Sequence, residues 1–429
     1  MERLISKLAL VSALGLGISI TSPALAQTHA VTNGRVVTNT SAGIIENGTV
    51  LIRDGNIVAV GSNVTIPAEA TVLDADGGWI TPGVFAPYAQ LGLIEVALEQ
   101  STSDAGANDS DYSVALDVSD SFNPAGTHIP SSRIEGITRA AIYPSTGWNL
   151  FAGQGGLANT SGDSDSFFES GSFVYADLSQ SGASRSGGSR SAAWAYLEAA
   201  FNDARSYPGR FSSDHQGDAL NRYDAAALVP VVRGQIPLIM NLDRAADIRR
   251  ALQFRRDNAP MQMIIQGGAE AWMVADEIAA ANVPVLIDPI RNLPSSFDAI
   301  ASTLSSPQRL HEAGVTVAYT TESADGYFNA RLLPQHAGNA VAHGVPWDDA
   351  FRAITLTPAE IYGVGDRYGA LATGYAGDVV VWDGDPLEVM SGALAVFIDG
   401  TPQDMESRQT RLMDRYRNIT DETPIAYRR

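Results

Sequence analysis

Apolar residues along this chain fall into two textures. Toward both ends they form short runs broken by tight-turn residues, and between the ends they alternate with longer stretches at helical spacing. From Val50 to Val60, two apolar runs flank Asp54-Gly55, a strong hairpin signal because both turn positions favour positive φ. The runs Asp378–Trp382 and Ala393–Ile398, the latter ending at Asp399-Gly400, have the same texture. Segments of like character at opposite ends predict one small β-domain assembled from both, over residues 27–80 and 369–402.

The middle, residues 81–368, reads as βα repetition. Apolar runs at Ala140–Tyr143, Pro237–Asn241, Met261–Gln266, Pro284–Asp288 and Thr316–Thr321 are each followed by a helical stretch, which predicts a parallel α/β core. Asp243 is placed to cap a helix over Arg244–Arg256, Glu270 opens Ala271–Ala281, and Gly314 and Gly344 sit at helix stops. Two polar, glycine-rich segments, 100–132 and 161–188, interrupt the pattern as long loops, either plain surface or a cover over an active-site face. Residues 403–429 read as a charged helix and a tail.

Residues 1–26 have the character of an export leader. Arg3 and Lys7 precede an apolar run, Leu8–Ile20, too short to span a bilayer comfortably, and Ala24-Leu25-Ala26 is a small-x-small cleavage site. Cleavage after Ala26 is expected, giving a soluble periplasmic protein with no membrane attachment. The chain has no cysteine, which excludes disulfides, thiolate ligands and a lipidated cysteine. The net charge of −20 becomes −21 when Glu2, Arg3 and Lys7 are removed. Such a surface repels phosphate backbones, so nucleic acid is not an expected partner. Lys7 is the only lysine, leaving the mature chain none.

Two smaller motifs have plain readings. Gly153-Gln154-Gly155-Gly156 lacks the spacing of a phosphate loop and reads as a tight turn at a strand end. Asp383-Gly384-Asp385-Pro386 is too short for a calcium loop and reads as turn chemistry.

The segment from Asp74 to Gly83, Asp-Ala-Asp-Gly-Gly-Trp-Ile-Thr-Pro-Gly, closely resembles the passage by which members of the amidohydrolase superfamily leave their β-sandwich and enter the barrel. The resemblance continues through Leu91-Gly92-Leu93, as in exported relatives of the imidazolonepropionase type. It extends through Val232–Leu238 and Arg244-x-x-Asp247-Ile248, then Gly267–Trp272 and Thr355–Ala359. It closes at Gly369–Trp382, which is similar to the family's G-x-L-x-x-G-x-x-A-D-x-V-V return. It implies a distorted (β/α)₈ TIM barrel with a small composite β-sandwich built from both chain ends.

The family's chemistry rests on Zn²⁺ or another divalent metal, which makes a bound water nucleophilic near neutral pH. Where the family writes Pro-Gly-x-x-Asp-x-His-x-His, residues 82–90 place Tyr88 and Gln90 at the histidine positions. The fifth-strand histidine falls at Asn241, the sixth-strand histidine at Gln266, and the catalytic aspartate near Glu322. The carbamylated lysine that bridges metals in one branch has no counterpart. Neutral amides and phenols bind Zn²⁺ poorly beside imidazole, so no bound metal is expected. Of the six histidines, His128 and His215 lie in or near polar segments that would have to reach the barrel mouth, and His336 and His343 share a helical face; His29 and His311 lie outside the motif frames too.

The resemblance therefore implies a hydrolase of non-peptide or cyclic amide C–N bonds, whereas the site residues imply that metal-dependent hydrolysis is impaired or lost. Tyr88, Gln90, Asn241, Gln266 and Glu322 either plug a former metal cavity as a polar network or line a pocket for a small polar ligand. Glu322 is the catalytic candidate for metal-free acid–base work, with Asp325 beside it. The alternative is a non-catalytic periplasmic ligand-binding protein, or a subunit in a homo-oligomer or with an active amidohydrolase relative.

Overall fold

The computed structural model describes residues 27–96, 98–211, 217–322 and 329–417. Residues 1–26, on which the expected export leader falls, together with His215, Asp325 and the last residues of the tail, lie outside the described residues. The chain opens with β1 (Thr28–Val37), β2 (Ile44–Arg53), β3 (Asn56–Gly61), β4 (Thr71–Asp74) and β5 (Trp79–Pro82). It continues with β6 (Val84–Ala89), β7 (Ile137–Ile142), β8 (Phe151–Asn159), β9 (Phe167–Asp177), β10 (Leu238–Leu242), β11 (Met263–Gly267), β12 (Val285–Ile287) and β13 (Val317–Tyr319). It closes with β14 (Val379–Trp382), β15 (Ala393–Ile398), β16 (Thr401–Pro402) and the helix Arg408–Arg417.

Both ends of the chain enter one sheet. Its order is β16-β15-β14-β5-β1-β2-β3, with β4 also paired to β1. The join is the antiparallel pair β14 and β5, in register from Val379 opposite Pro82 to Trp382 opposite Trp79. The apolar faces of these strands pack into a core of their own that includes Val31, Val50, Ile52, Ile80, Val379 and Phe397. Asp54-Gly55 forms the turn between β2 and β3.

The second sheet runs β13-β12-β11-β10-β9-β8-β7-β6 and curls into a nearly closed barrel. From β9 to β13 every neighbouring pair is parallel, and helices such as Ala245–Asp257 and Ser306–Glu312 make the crossovers. The gap between the first and last strands is bridged by a non-strand segment: Phe85 donates its backbone N–H to Ile354 at 2.8 Å, and Tyr319 donates to Ala353 at 3.1 Å. The motif glycine Gly83 immediately precedes β6, where a Cβ would collide with the Thr138 side chain on β7, so no larger residue fits this entry.

Three expectations give way here. The barrel is not a uniform βα repeat, because β8 is antiparallel to both β7 and β9. Residues 161–188 are not one loop: β9 occupies Phe167–Asp177, its buried run Phe173–Asp177 outweighing the polar residues around it. Gly153-Gln154-Gly155-Gly156 lies inside β8 rather than at a turn, and a Cβ at Gly155 would collide with the Phe173 ring of β9. The glycines serve close strand approach. Helix boundaries shift as well. The helix begins at Ala245, whose N–H is taken by Glu270 at 3.0 Å, while Asp243 is engaged elsewhere.

One buried guanidinium ties the two sheets together. Arg139 on β7 reaches Asp378, just before β14, through Nε at 2.7 Å and Nη2 at 3.0 Å, and reaches Asp399 beyond β15 at 2.6 Å. Its Cζ also lies 4.1 Å from the centroid of the Tyr368 ring. The side chains of Arg139 and Asp378 are only 2% and 4% exposed, so removing either partner strands a charge away from water. Arg139→Met is therefore expected to cost about 3–5 kcal/mol of unfolding free energy, whereas Arg352→Ala, which breaks an exposed pair with Glu360, should cost about 1 kcal/mol or less. Urea denaturation of both variants measures this, and equal losses would contradict it.

Candidate functional site

Strand register decides which residues face the barrel interior near its C-terminal mouth. Asp177, Asn241, Gln266, Leu286 and Ala318 stand opposite one another in succession across β9 to β13. A layer below lie Tyr175, Ile239 and Ile264, which pack with Leu286, Ala318 and Phe85 in the interior. Because side chains alternate along a strand, Asn241 and Gln266 face inward with Ile239 and Ile264, one layer closer to the mouth.

Three of the five positions singled out from the sequence form one hydrogen-bonded chain. The Tyr88 hydroxyl donates to the Tyr175 hydroxyl at 3.1 Å, and Tyr175 donates to Gln266 Oε1 at 3.3 Å. Gln266 Nε2 then donates to Glu322 Oε2 at 2.6 Å. The ring of Tyr143 stacks on Tyr88 with centroids 3.4 Å apart, and both lie against Tyr175, so three tyrosines fill the barrel beneath the mouth. Asn241 joins a neighbouring network, donating to Asp177 at 3.2 Å, and Asp177 in turn pairs with Arg185 at 2.7 Å. Gln90 is drawn away: its Nε2 donates to Ser145 at 2.6 Å, on the loop after β7.

The mouth carries its own cation. Arg291 donates to both carboxylate oxygens of Asp243, at 2.8 and 2.9 Å, and to Ser295 at 3.0 Å. Glu322 and Asp288 are its other counter-charges. Burial pushes the Glu322 carboxyl up to about 7; Arg291 and the Gln266 amide oppose the shift, and Asp243 and Asp288 reinforce it. Burial likewise raises the hydroxyls of Tyr88 and Tyr175 well above their ordinary range, so both stay neutral donors. Around this cluster lies an open cavity of about 580 Å³ lined by Asn241, Asp243, Arg291, Asp298, Glu322 and the serines flanking them.

This donor set does not fit a divalent ion. Tyr88, Asn241 and Gln266 already make hydrogen bonds, the phenols resist ionisation, and a fixed guanidinium sits among the acids. Among the described residues, no group of three or more His, Asp or Glu side chains is arranged to hold a metal. His336 is buried, with Nδ1 3.0 Å from Asp288 and 3.1 Å from the Thr320 carbonyl. His128 lies on the helix His128–Arg133 near Glu95, and His343 contacts the carbonyl of Asn339.

Sequence reasoning missed Tyr175, Arg291 and the role of Asp243. Tyr175 lay in the stretch taken for a loop, although Phe-Val-Tyr-Ala-Asp before a serine N-cap is a strand-end signal. Part of that same stretch does border the cavity, through Ser179, Gln180, Ser181 and Ser184. The other polar segment is fastened elsewhere, with Ser113 and Ala115 donating to the buried Asp224.

The comparisons with known proteins agree with this architecture. The Amidohydrolase family model matches residues 256–408. The amidohydrolase tasK of Hapsidospora irregularis is 33% identical over 112 residues, covering 26% of this chain and 11% of that protein. The imidazolonepropionase of Geobacillus kaustophilus (strain HTA426) is 46% identical over 56 residues, covering 11% of this chain and 13% of that protein. The chain thus spans only about a tenth of the length of these curated relatives. The crystal structure of an amidohydrolase from Thermotoga maritima MSB8 shares the fold with a TM-score of 0.78 at 22% identity, over 87% of this chain and 98% of that one. Residues 256–408 thus match the Amidohydrolase family, and the barrel with its two-ended sheet shares the fold of the solved amidohydrolase.

Proposed function

We propose that this chain is an exported amidohydrolase-fold protein that has lost metal-dependent hydrolysis of C–N bonds and binds a small polar ligand at the barrel mouth. The observation that carries this reading is Gln266. It stands in register beside Asn241 at a position where the family places a metal-binding histidine, and both ends of its carboxamide are engaged, by Tyr175 and by Glu322. Two of these positions, Gln266 and Glu322, bond each other, and Tyr88 joins them through Tyr175. We assign the two-ended sheet to the family's composite β-sandwich. Export to the periplasm is supported by Arg3, Lys7, the apolar run after them and Ala24-Leu25-Ala26, and no helix among the described residues is long and apolar enough to cross a membrane. A second reading, metal-free acid–base catalysis, is favoured by one observation only, the Glu322 carboxyl poised near neutrality beside the cavity.

The purified mature protein is expected to hold no stoichiometric transition metal after dialysis, and added Zn²⁺ should confer no amide or lactam hydrolysis. The variant combining Tyr88→His, Gln90→His, Asn241→His and Gln266→His should gain metal by elemental analysis. Near one metal per unmodified chain, with activity lost on chelation, would overturn the proposal.

Glu322 also makes a prediction about stability. Its carboxyl titrates higher in the folded chain than in the unfolded one, so its favourable contribution is full below the ordinary value of 4.5 and is lost as pH rises through about 7. The stability of the wild type relative to Glu322→Gln should therefore decline between about pH 5 and about pH 8. Thermal melts of both proteins across that window measure it, and parallel curves would refute the burial of this carboxyl.

A further inference from the structure

The polar cavity at the barrel mouth has a neighbour. A second cavity of about 650 Å³ is lined by Ile290, Leu293, Leu304, Asn292 and Asn339, and Arg291, Ser295 and Glu322 line both. The two spaces differ in chemistry. Ser179, Ser181, Ser184, Ser295 and Ser296 bring hydroxyls to the first, whereas Ile290, Leu293 and Leu304 make the second the more apolar.

The charges of the first cavity are paired within the protein. Asp243 is held at both oxygens by Arg291, and Asp298 is held by Arg190 and by the N–H of Gln180. A charged group entering there would have to compete with those pairs, whereas a neutral hydroxyl-bearing group would meet donors and acceptors at no such cost. Apolar surface is meanwhile left in water on the segment bordering both spaces: Leu293 is 77% exposed, Phe297 82% and Ile300 62%. Three such residues within eight positions mark a contact surface rather than scattered exposure.

We infer that the mouth is a two-chamber site for a neutral amphipathic small molecule, its hydroxyl-rich head among the serines and its short aliphatic portion against Ile290, Leu293 and Leu304, with Arg291, Ser295 and Glu322 at the junction. This rests on the reading of the mouth as a ligand pocket and names the class of ligand it takes. A polar head alone leaves the second chamber to water. An aliphatic chain alone makes no use of the serine hydroxyls. A molecule with both parts gains from each, because burying a few methylene groups adds to affinity what the head cannot supply.

Isothermal titration calorimetry on the full mature chain tests this with n-hexyl β-D-glucopyranoside, used well below its micellar range, and with its halves, D-glucose and 1-hexanol. The joined probe is expected to bind at least about tenfold tighter than either half. Leu293→Ser, at an exposed position that leaves folding intact, should abolish that advantage without weakening D-glucose. Ser184→Trp, which fills the polar chamber from an exposed helical position, should weaken D-glucose and the joined probe alike. Circular dichroism confirms that each variant is folded. An advantage that survives Leu293→Ser, or a joined probe no tighter than its better half, overturns the two-chamber inference. In that case D-glucose binding still abolished by Ser184→Trp leaves the polar-pocket reading standing, whereas metal-dependent hydrolysis by the unmodified chain would overturn that reading itself.

Discussion

The architecture turns on a guanidinium buried where two sheets meet. Arg139 belongs to the barrel through β7, and its carboxylate partners Asp378 and Asp399 belong to the sheet built from the chain ends. The link is reinforced by backbone, since Gly83 at the barrel entry donates to the carbonyl of Asp378 at 3.1 Å. The aspartate of the returning motif thereby fastens the returning strand to the first strand of the barrel. An ion pair this deeply buried adds little net stability compared with apolar packing, but it penalises every arrangement that leaves one of its charges alone. It therefore acts chiefly on the placement of the sheets against each other, which in turn fixes the β5–β6 passage that begins the barrel.

At the other end of the barrel the same rule operates with opposite chemistry. A cluster of unpaired acids away from bulk water is costly, and here a guanidinium supplies the opposing charge. Arg291 bonds Asp243 twice, with Glu322 and Asp288 as further counter-charges, and below it carboxamides and tyrosines pair among themselves. Glu322 closes that chain as its terminal acceptor, and burial raises its carboxyl. The interior is thereby plugged at the level of Tyr88, Tyr143 and Tyr175, and the space above stays open.

Much of this was legible in the residues. The hairpin at Asp54-Gly55, the strand runs from Pro237 to Thr321 and the sheet texture at both chain ends follow from short-range pattern and turn chemistry, which act over a few residues and leave a trace there. Of the positions singled out strand by strand, Tyr88, Gln266 and Glu322 lie far apart in the chain and stand in one hydrogen-bonded row through Tyr175.

Tertiary structure decided the rest. The glycines of β8 carry a turn signal locally, but Phe173 of β9 needs the space they leave, so packing overrode propensity. Asp243 reads as a helix cap until Arg291, 48 residues away, takes both its oxygens, and Gln90 reads as a partner of Tyr88 until Ser145 turns it aside. The sequence by itself determined the periodicities, the hairpin, the absence of thiols, the single lysine Lys7, and the neutral side chains at Tyr88, Gln90, Asn241 and Gln266. Which of those side chains meet, and that the Arg291 guanidinium stands among the mouth acids, was decided only when the barrel closed, because a polar group's partner is set by distance in space and leaves no periodic mark along the chain.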